Sequence, residues 1–176
     1  MKLRDSVLAC SLLAGLLSAQ PASITYYGST CGPQAPSGSP TIVVGGGLPK
    51  LGSALFVSQR GVTVQVFPDC RWTGAELLVL GASRTQAFGV PLPILVPFAL
   101  TQGYPCLVWT SSDLILPAVA VQNGRPLTIP NDARLLGMHV YLQWFVYYRN
   151  DGNGPLCFPQ FERWMTSDCA DLLIGT

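Results

Sequence analysis

"MHVYLQWFVYY", residues 138–148, contains neither Gly nor Pro, and its alternation decides how the chain is read. Successive side chains of a strand point to opposite faces of a sheet. One face therefore carries Met138, Val140, Leu142, Trp144, Val146 and Tyr148, a continuous apolar set that predicts a core face. The other carries His139, Tyr141, Gln143, Phe145 and Tyr147. Aromatic and polar groups alternating on one side of a strand suit a ligand face, with rings for stacking and with Gln143 and His139 for hydrogen bonds. A second reading stays open: a loop or a neighbouring layer covers this face, and the same residues are core.

Outward from this strand, Gly and Pro interrupt the chain so often that long helices are excluded, with 18 Gly and 15 Pro in 176 residues. Short β-prone segments lie between the breakers: 41–44, 54–58, 62–67, 76–80, 106–110, 118–122 and 126–129. Short strands at even spacing with turn signals between them predict an all-β, antiparallel, jelly-roll-like β-sandwich. Asn123-Gly124 and the Asp151–Gly154 run are hairpin-type turns. One short helical turn is expected near 131–136, with Asn131 as its cap and Gly137 as its left-handed exit. Residues 158–175 are expected to be irregular until a last strand at "DLLIG".

"VPLPILVPFAL", residues 90–100, is apolar yet carries three prolines. Pro91, Pro93 and Pro97 share one parity, so their missing donors would lie along one side of a strand. Leu92, Ile94, Val96 and Phe98 would keep theirs for a neighbour and form one apolar face. The segment reads as an edge strand that cannot template another, or as a polyproline-like crossing between two sheets.

The first residues have the layout of a secretory leader: Lys2 and Arg4, an apolar run from Val7 to Leu17, then small residues at Ser18 and Ala19. The expected organisation is a signal peptide at 1–19 and a single domain at 20–176. An apolar run of this length is too short to span a bilayer. Without the leader, basic and acidic side chains balance, and no basic stripe for nucleic acid is present. Beyond the leader stand Cys31, Cys70, Cys106, Cys157 and Cys169, none in a Cys-x-x-Cys pair. In an exported chain they predict disulfides. Cys157–Cys169 would close a short loop, and Cys31–Cys106 is the second expected pair, leaving Cys70 free.

No cluster commits the chain to a reaction, so no catalytic residue, cofactor or metal is expected. "VVGGGLPKLG" (43–52) fails both phosphate-loop spacings and reads as a bend. His139 is the only histidine, and no nucleophile elbow is present. The carboxylates that a glycoside hydrolase would need are Asp69, Glu76, Asp113, Asp132, Asp151, Glu162, Asp168 and Asp171, and most stand in turn-like contexts.

In order along the chain, "GGLPKLGSALFV", "GVPLPI", "GYPCLVW" and "LTIPNDARLLGMHVYLQW" resemble a secreted bacterial β-sandwich domain family of uncharacterised function. The resemblance implies an extracytoplasmic location and brings no catalytic residue with it. The expected role is an exported non-catalytic module with a surface, structural or interaction function. Its partners would be cell-surface polysaccharide or extracellular proteins, not nucleic acid, with no membrane span after the leader. A carbohydrate-binding module using the aromatic face is the alternative, and a small glycoside hydrolase the third reading.

Overall fold

The computed structural model describes residues 20–32, 39–61, 72–101, 103–117, 124–150 and 161–176. The expected leader, the segments 62–67 and 118–122, Cys70, Asn123, the expected turn at 151–154 and Cys157 lie outside the described residues. Twelve strands are described: β1 Ser23–Tyr27, β2 Thr41–Gly45, β3 Ala54–Arg60, β4 Trp72–Gly81, β5 Gln86–Ala87, β6 Val90–Pro91, β7 Ile94–Leu95, β8 Leu107–Val108, β9 Leu114–Pro117, β10 Arg125–Thr128, β11 His139–Asn150 and β12 Phe161–Leu173. All pair antiparallel, in a five-stranded sheet of order β1-β12-β11-β4-β9, a three-stranded sheet β10-β3-β2 and two two-stranded ribbons. The all-β antiparallel class read from the alternation and the breakers is the fold that forms.

The two larger sheets share one core. Ile42, Leu55 and Val57 come from the smaller sheet and meet Leu78, Leu142, Trp144, Val146, Ala170 and Leu172 of the larger. Each Val or Leu withdrawn from water this way contributes about 1.5–3 kcal/mol. Leu142, Trp144 and Val146 lie on the face that the alternation assigned to the core, with Val140 packed against them. Met138 does not: it precedes β11 and stands exposed.

Residues 161–173 form one long strand, not an irregular stretch before a short one. β12 runs between β11 and β1, and residues of both parities are buried from Met165 to Leu172, so both of its faces are covered there. Its alternation is hidden because polar Thr166, Ser167 and Asp171 are buried beside apolar neighbours. Gln143 faces Cys169 and Phe145 faces Thr166, so Ser167 and Asp168 together oppose Trp144. Two residues against one make a β-bulge, which re-aims side chains. The Ser167 hydroxyl accepts from the Trp144 N–H at 2.9 Å, and Asp168 Oδ1 accepts from the Ile42 N–H at 2.8 Å. The bulge thereby ties the two sheets together.

The proline-rich segment is not one edge strand. β6 pairs with β5, β7 pairs with β8, and the Leu92–Pro93 peptide between them is cis. The parity argument holds in part. Pro91, Pro93 and Pro97 are exposed. The Leu92 N–H donates to Thr85 O at 2.9 Å and the Val96 N–H to Cys106 O at 2.8 Å. The donors thus serve two different neighbours, and the segment pairs with neither large sheet. A helical turn, Phe98–Thr101, follows and was not expected. The other turn forms as a 3-10 turn at Ala133–Leu135, but Asp132, not Asn131, caps it, accepting from the Arg134 N–H. Gly137 takes φ +78°, the left-handed exit expected of it.

Cys31 and Cys106 form a disulfide, their Cα atoms 5.0 Å apart, as the sequence predicts. The expected Cys157–Cys169 bridge is not made: Cys169 is a free, buried thiol. It stands in the middle of β12 opposite Gln143 and Tyr27, inside the ladder. Burial pushes this thiol up to about 12, so it stays protonated.

Two predictions follow from these contacts. The Cys31–Cys106 bridge spans 75 residues, and in the chain-entropy description such a loop contributes about 4 kcal/mol. The double variant Cys31→Ala, Cys106→Ala should lose that much in chemical denaturation. The second concerns Glu76, which accepts from Gln59 Nε2 at 3.3 Å between the sheets. Burial raises its carboxyl above the ordinary glutamate value of 4.5, only partly offset by the Gln59 hydrogen bond. An acid raised on folding binds its proton more tightly in the native state, so stability falls as pH rises through that window. Glu76→Gln should melt higher than the wild type at neutral pH, with the difference closing toward the ordinary glutamate range.

Candidate functional site

The outer face of the five-stranded sheet, opposite the core, carries the residues that the alternation set apart. Their surroundings differ along the strand. Gln143 is wholly buried and Tyr141 is 8 % exposed, whereas Phe145 and Tyr147 are partly exposed and His139 is exposed. The structure therefore splits the five residues into a covered centre, Tyr141 and Gln143, flanked by exposed His139 on one side and by partly exposed Phe145 and Tyr147 on the other.

The cover is the segment that follows Cys106, together with Tyr27 of β1. Gln143 Nε2 donates to Leu107 O at 2.9 Å and to Ser167 O at 2.8 Å, and its Oε1 accepts from the Trp109 N–H at 3.0 Å. Both ends of the amide are thus used inside the fold. The Tyr27 hydroxyl donates to Trp109 O at 3.2 Å, and its ring meets those of Trp109 and Tyr141 edge-on. Burial, with Cys169 beside it, raises the Tyr27 hydroxyl well above the usual tyrosine range, so it stays a donor. Gly81 of β4 lies directly beneath Thr110 and Ser111; a Cβ there would collide with the Ser111 carbonyl. The cover needs a residue without a side chain at that point.

At the β1 end, His139 stacks on Tyr141 with ring centroids 5.9 Å apart. Its Nδ1 lies 2.7 Å from Asp171 Oδ1, the separation of an N–H donor and a carboxylate acceptor. The arrangement orients the imidazole. Tyr141 is raised by burial first and by the Asp171 charge second.

At the other end, Tyr147 faces Trp164 across the β11–β12 ladder, and Phe145 faces Thr166. The Tyr147 and Trp164 rings lie 5.0 Å apart at 43°. Both are partly exposed, and the register pair Arg149–Glu162 stands exposed beyond them. Phe145, Tyr147 and Trp164 form the aromatic surface left open by the cover. The alternation of 138–148 finds Phe145 and Tyr147 but not Trp164, because Trp164 joins them only through the pairing of β12. Tyr27 and Trp109, which close the other half, also come from distant segments.

The carboxylates are mostly held in local bonds. Asp113 accepts from the Ser111 hydroxyl and the Ala82 N–H, both at 2.7 Å, and these bonds hold it below the usual carboxylate range. Asp132 is held low by Arg134, with which it forms an ion pair at 2.6 Å. Asp168 serves Ile42, and burial raises it. Glu76 and Asp171 likewise have hydrogen-bond partners within the fold. Among the described residues, no group of three or more His, Cys, Asp or Glu side chains is placed to hold a metal ion. "VVGGGLPKLG" runs out of β2 through a bend into β3.

Comparison with known proteins finds no match: no protein-family model, no curated protein and no solved structure matches this chain.

Gln143→Leu tests the covered half. The substitution keeps the bulk but leaves the Trp109 N–H, the Leu107 carbonyl and the Ser167 carbonyl without their partner. At about 1–3 kcal/mol for each buried group left unsatisfied, urea denaturation should show a loss of about 3 kcal/mol or more. A loss under about 1 kcal/mol would mean that water replaces the amide and the cover is loose.

Proposed function

We propose that this chain is an exported, non-catalytic β-sandwich module with a surface or interaction role, and that its recognition surface is the open aromatic end of the outer sheet face. The observation that carries this reading is the contrast along β11. Tyr141 and Gln143 are sealed by Tyr27 and Trp109, while Phe145, Tyr147 and Trp164 keep part of their rings in water. Rings held rigidly on a central strand offer contact area at small entropic cost. The use of most described carboxylates in local bonds favours a module over a hydrolase. The leader-like N-terminus and the Cys31–Cys106 disulfide favour an oxidising, extracytoplasmic compartment. No helix among the described residues is long and apolar enough to cross a membrane.

The specific ligand class favoured by the Tyr147–Trp164 pair is polysaccharide. Adjacent rings exposed on a sheet can stack on the apolar face of a sugar, and Arg149 and Glu162 beyond them carry polar groups suited to hydroxyls. Nucleic acid is disfavoured by the balanced charge.

Trp164→Ala and Tyr147→Ala, assayed against immobilised polysaccharides and cell-wall material, should each weaken binding about tenfold or more. His139→Ala, at the far end of the strand, should leave binding unchanged. Binding that depends on His139 but not on Trp164 would move the site to the covered end. No binding to any polysaccharide would leave extracellular proteins as the partner class.

A further inference from the structure

The β5–β6 hairpin carries the most exposed large apolar side chain described: Phe88, at 88 %. Gln86 pairs with Pro91 and Ala87 with Val90, so Phe88 and Gly89 are the two central residues of the turn. Their φ values are +50° and +79°. Two-residue turns with both φ positive favour Asn, Asp or Gly. A bulky aromatic there is an outlier, the only non-glycine residue described with positive φ. Neither local conformation nor packing accounts for the ring: the backbone disfavours it and the fold does not bury it. A residue strained and exposed at once points to a use outside the fold.

The surroundings indicate the medium. From Thr85 to Ser112 the chain has no charged side chain, with Arg84 immediately before and Asp113 immediately after. Val90, Leu95 and Leu100 are also close to half exposed. Pro91, Pro93 and Pro97 are exposed and have no N–H to satisfy. The Leu92 and Val96 N–H groups are bonded within the fold, and β7 is paired to β8. The segment therefore presents apolar side chains with few unsatisfied backbone donors, which is what a hydrocarbon environment demands of a polypeptide. A protein pocket would be matched by hydrogen-bonding groups around the anchor, and Phe88 stands next to Ala87, Gly89 and Val90, with Gln86 the one hydrogen-bonding side chain in the described hairpin.

We infer that the Phe88 hairpin is a lipid-contacting tip: Phe88 and Val90 enter the headgroup–acyl boundary of a bilayer, and Arg84 at the base meets lipid phosphate. The site is independent of the aromatic surface on β11 and β12. Burying one aromatic and one aliphatic side chain gives weak, reversible attachment.

Vesicle co-sedimentation of the purified chain tests this, with phosphatidylcholine alone and with phosphatidylglycerol added. The wild type should sediment with both, more strongly with the anionic lipid. Phe88→Asn removes the ring while placing at φ +50° a residue that tolerates it, so its Tm should equal or exceed that of the wild type. Its vesicle partitioning should fall about tenfold. Leu114→Asn, an equally apolar exposed position on β9, should bind as the wild type does. Wild-type protein left in the supernatant with both lipids overturns the inference, as does Phe88→Asn binding undiminished. Light scattering without vesicles that shows Phe88-dependent association would assign the tip to a second copy of the chain and overturn it too.

Discussion

The carboxamide of Gln143 is the contact on which the outer layer depends. It lies at the centre of β11, wholly buried, and bonds the Trp109 N–H, the Leu107 carbonyl and the Ser167 carbonyl. An amide in that position must have partners, because leaving a polar group dry and unbonded is costly. The segment from Cys106 to Ser111 supplies two of them, and in doing so closes over the sheet. Tyr27, Trp109 and Tyr141 fill the space around the amide with edge-on rings. Gly81 makes room for the backbone above β4, and the Cys31–Cys106 disulfide anchors the start of the covering segment.

A sheet face covered at its centre in this way keeps its open aromatic pair, Tyr147 and Trp164, at the end away from His139. The bulge at Ser167–Asp168 separates the two halves and turns Asp168 toward the smaller sheet, where it meets the β2 backbone. Beyond the bulge, Tyr147 and Trp164 pair across the ladder and stay partly exposed. The functional proposal rests on this division of one strand into structural and available residues. Polar groups elsewhere fit the same pattern: Asp113, Asp132 and Asp171 each fix a local turn or ring.

Exposed hydrophobic groups need a different account from buried polar ones. A few apolar side chains on a surface are ordinary, so Leu114 and Ile115 on β9 carry no message by themselves. Phe88 differs because its backbone conformation works against it. Position, strain and an uncharged neighbourhood coincide there.

Much of this was legible from residue order alone. Period-two alternation in 138–148 identifies β11 and its core face through Leu142, Trp144 and Val146, because a strand's geometry sends neighbours to opposite sides whatever surrounds them. Breaker density excludes long helices for an equally local reason. The Cys31–Cys106 pair was also foreseen. What stayed hidden depends on partners distant in sequence. β12 conceals its strand character because it is covered on both faces, so its polar residues are satisfied by neighbours and break the alternation. Cys169 is free because it lies within the ladder. Whether Tyr141 and Gln143 meet water or the 107–111 segment depends on where that segment crosses the sheet, and Trp164 joins Tyr147 only through the β11–β12 register. Local conformational preference, carried by each residue and its immediate neighbours, determined the strands and the turns. Burial and hydrogen-bond satisfaction, which belong to the assembled chain, decided which half of the aromatic face is core and which is surface.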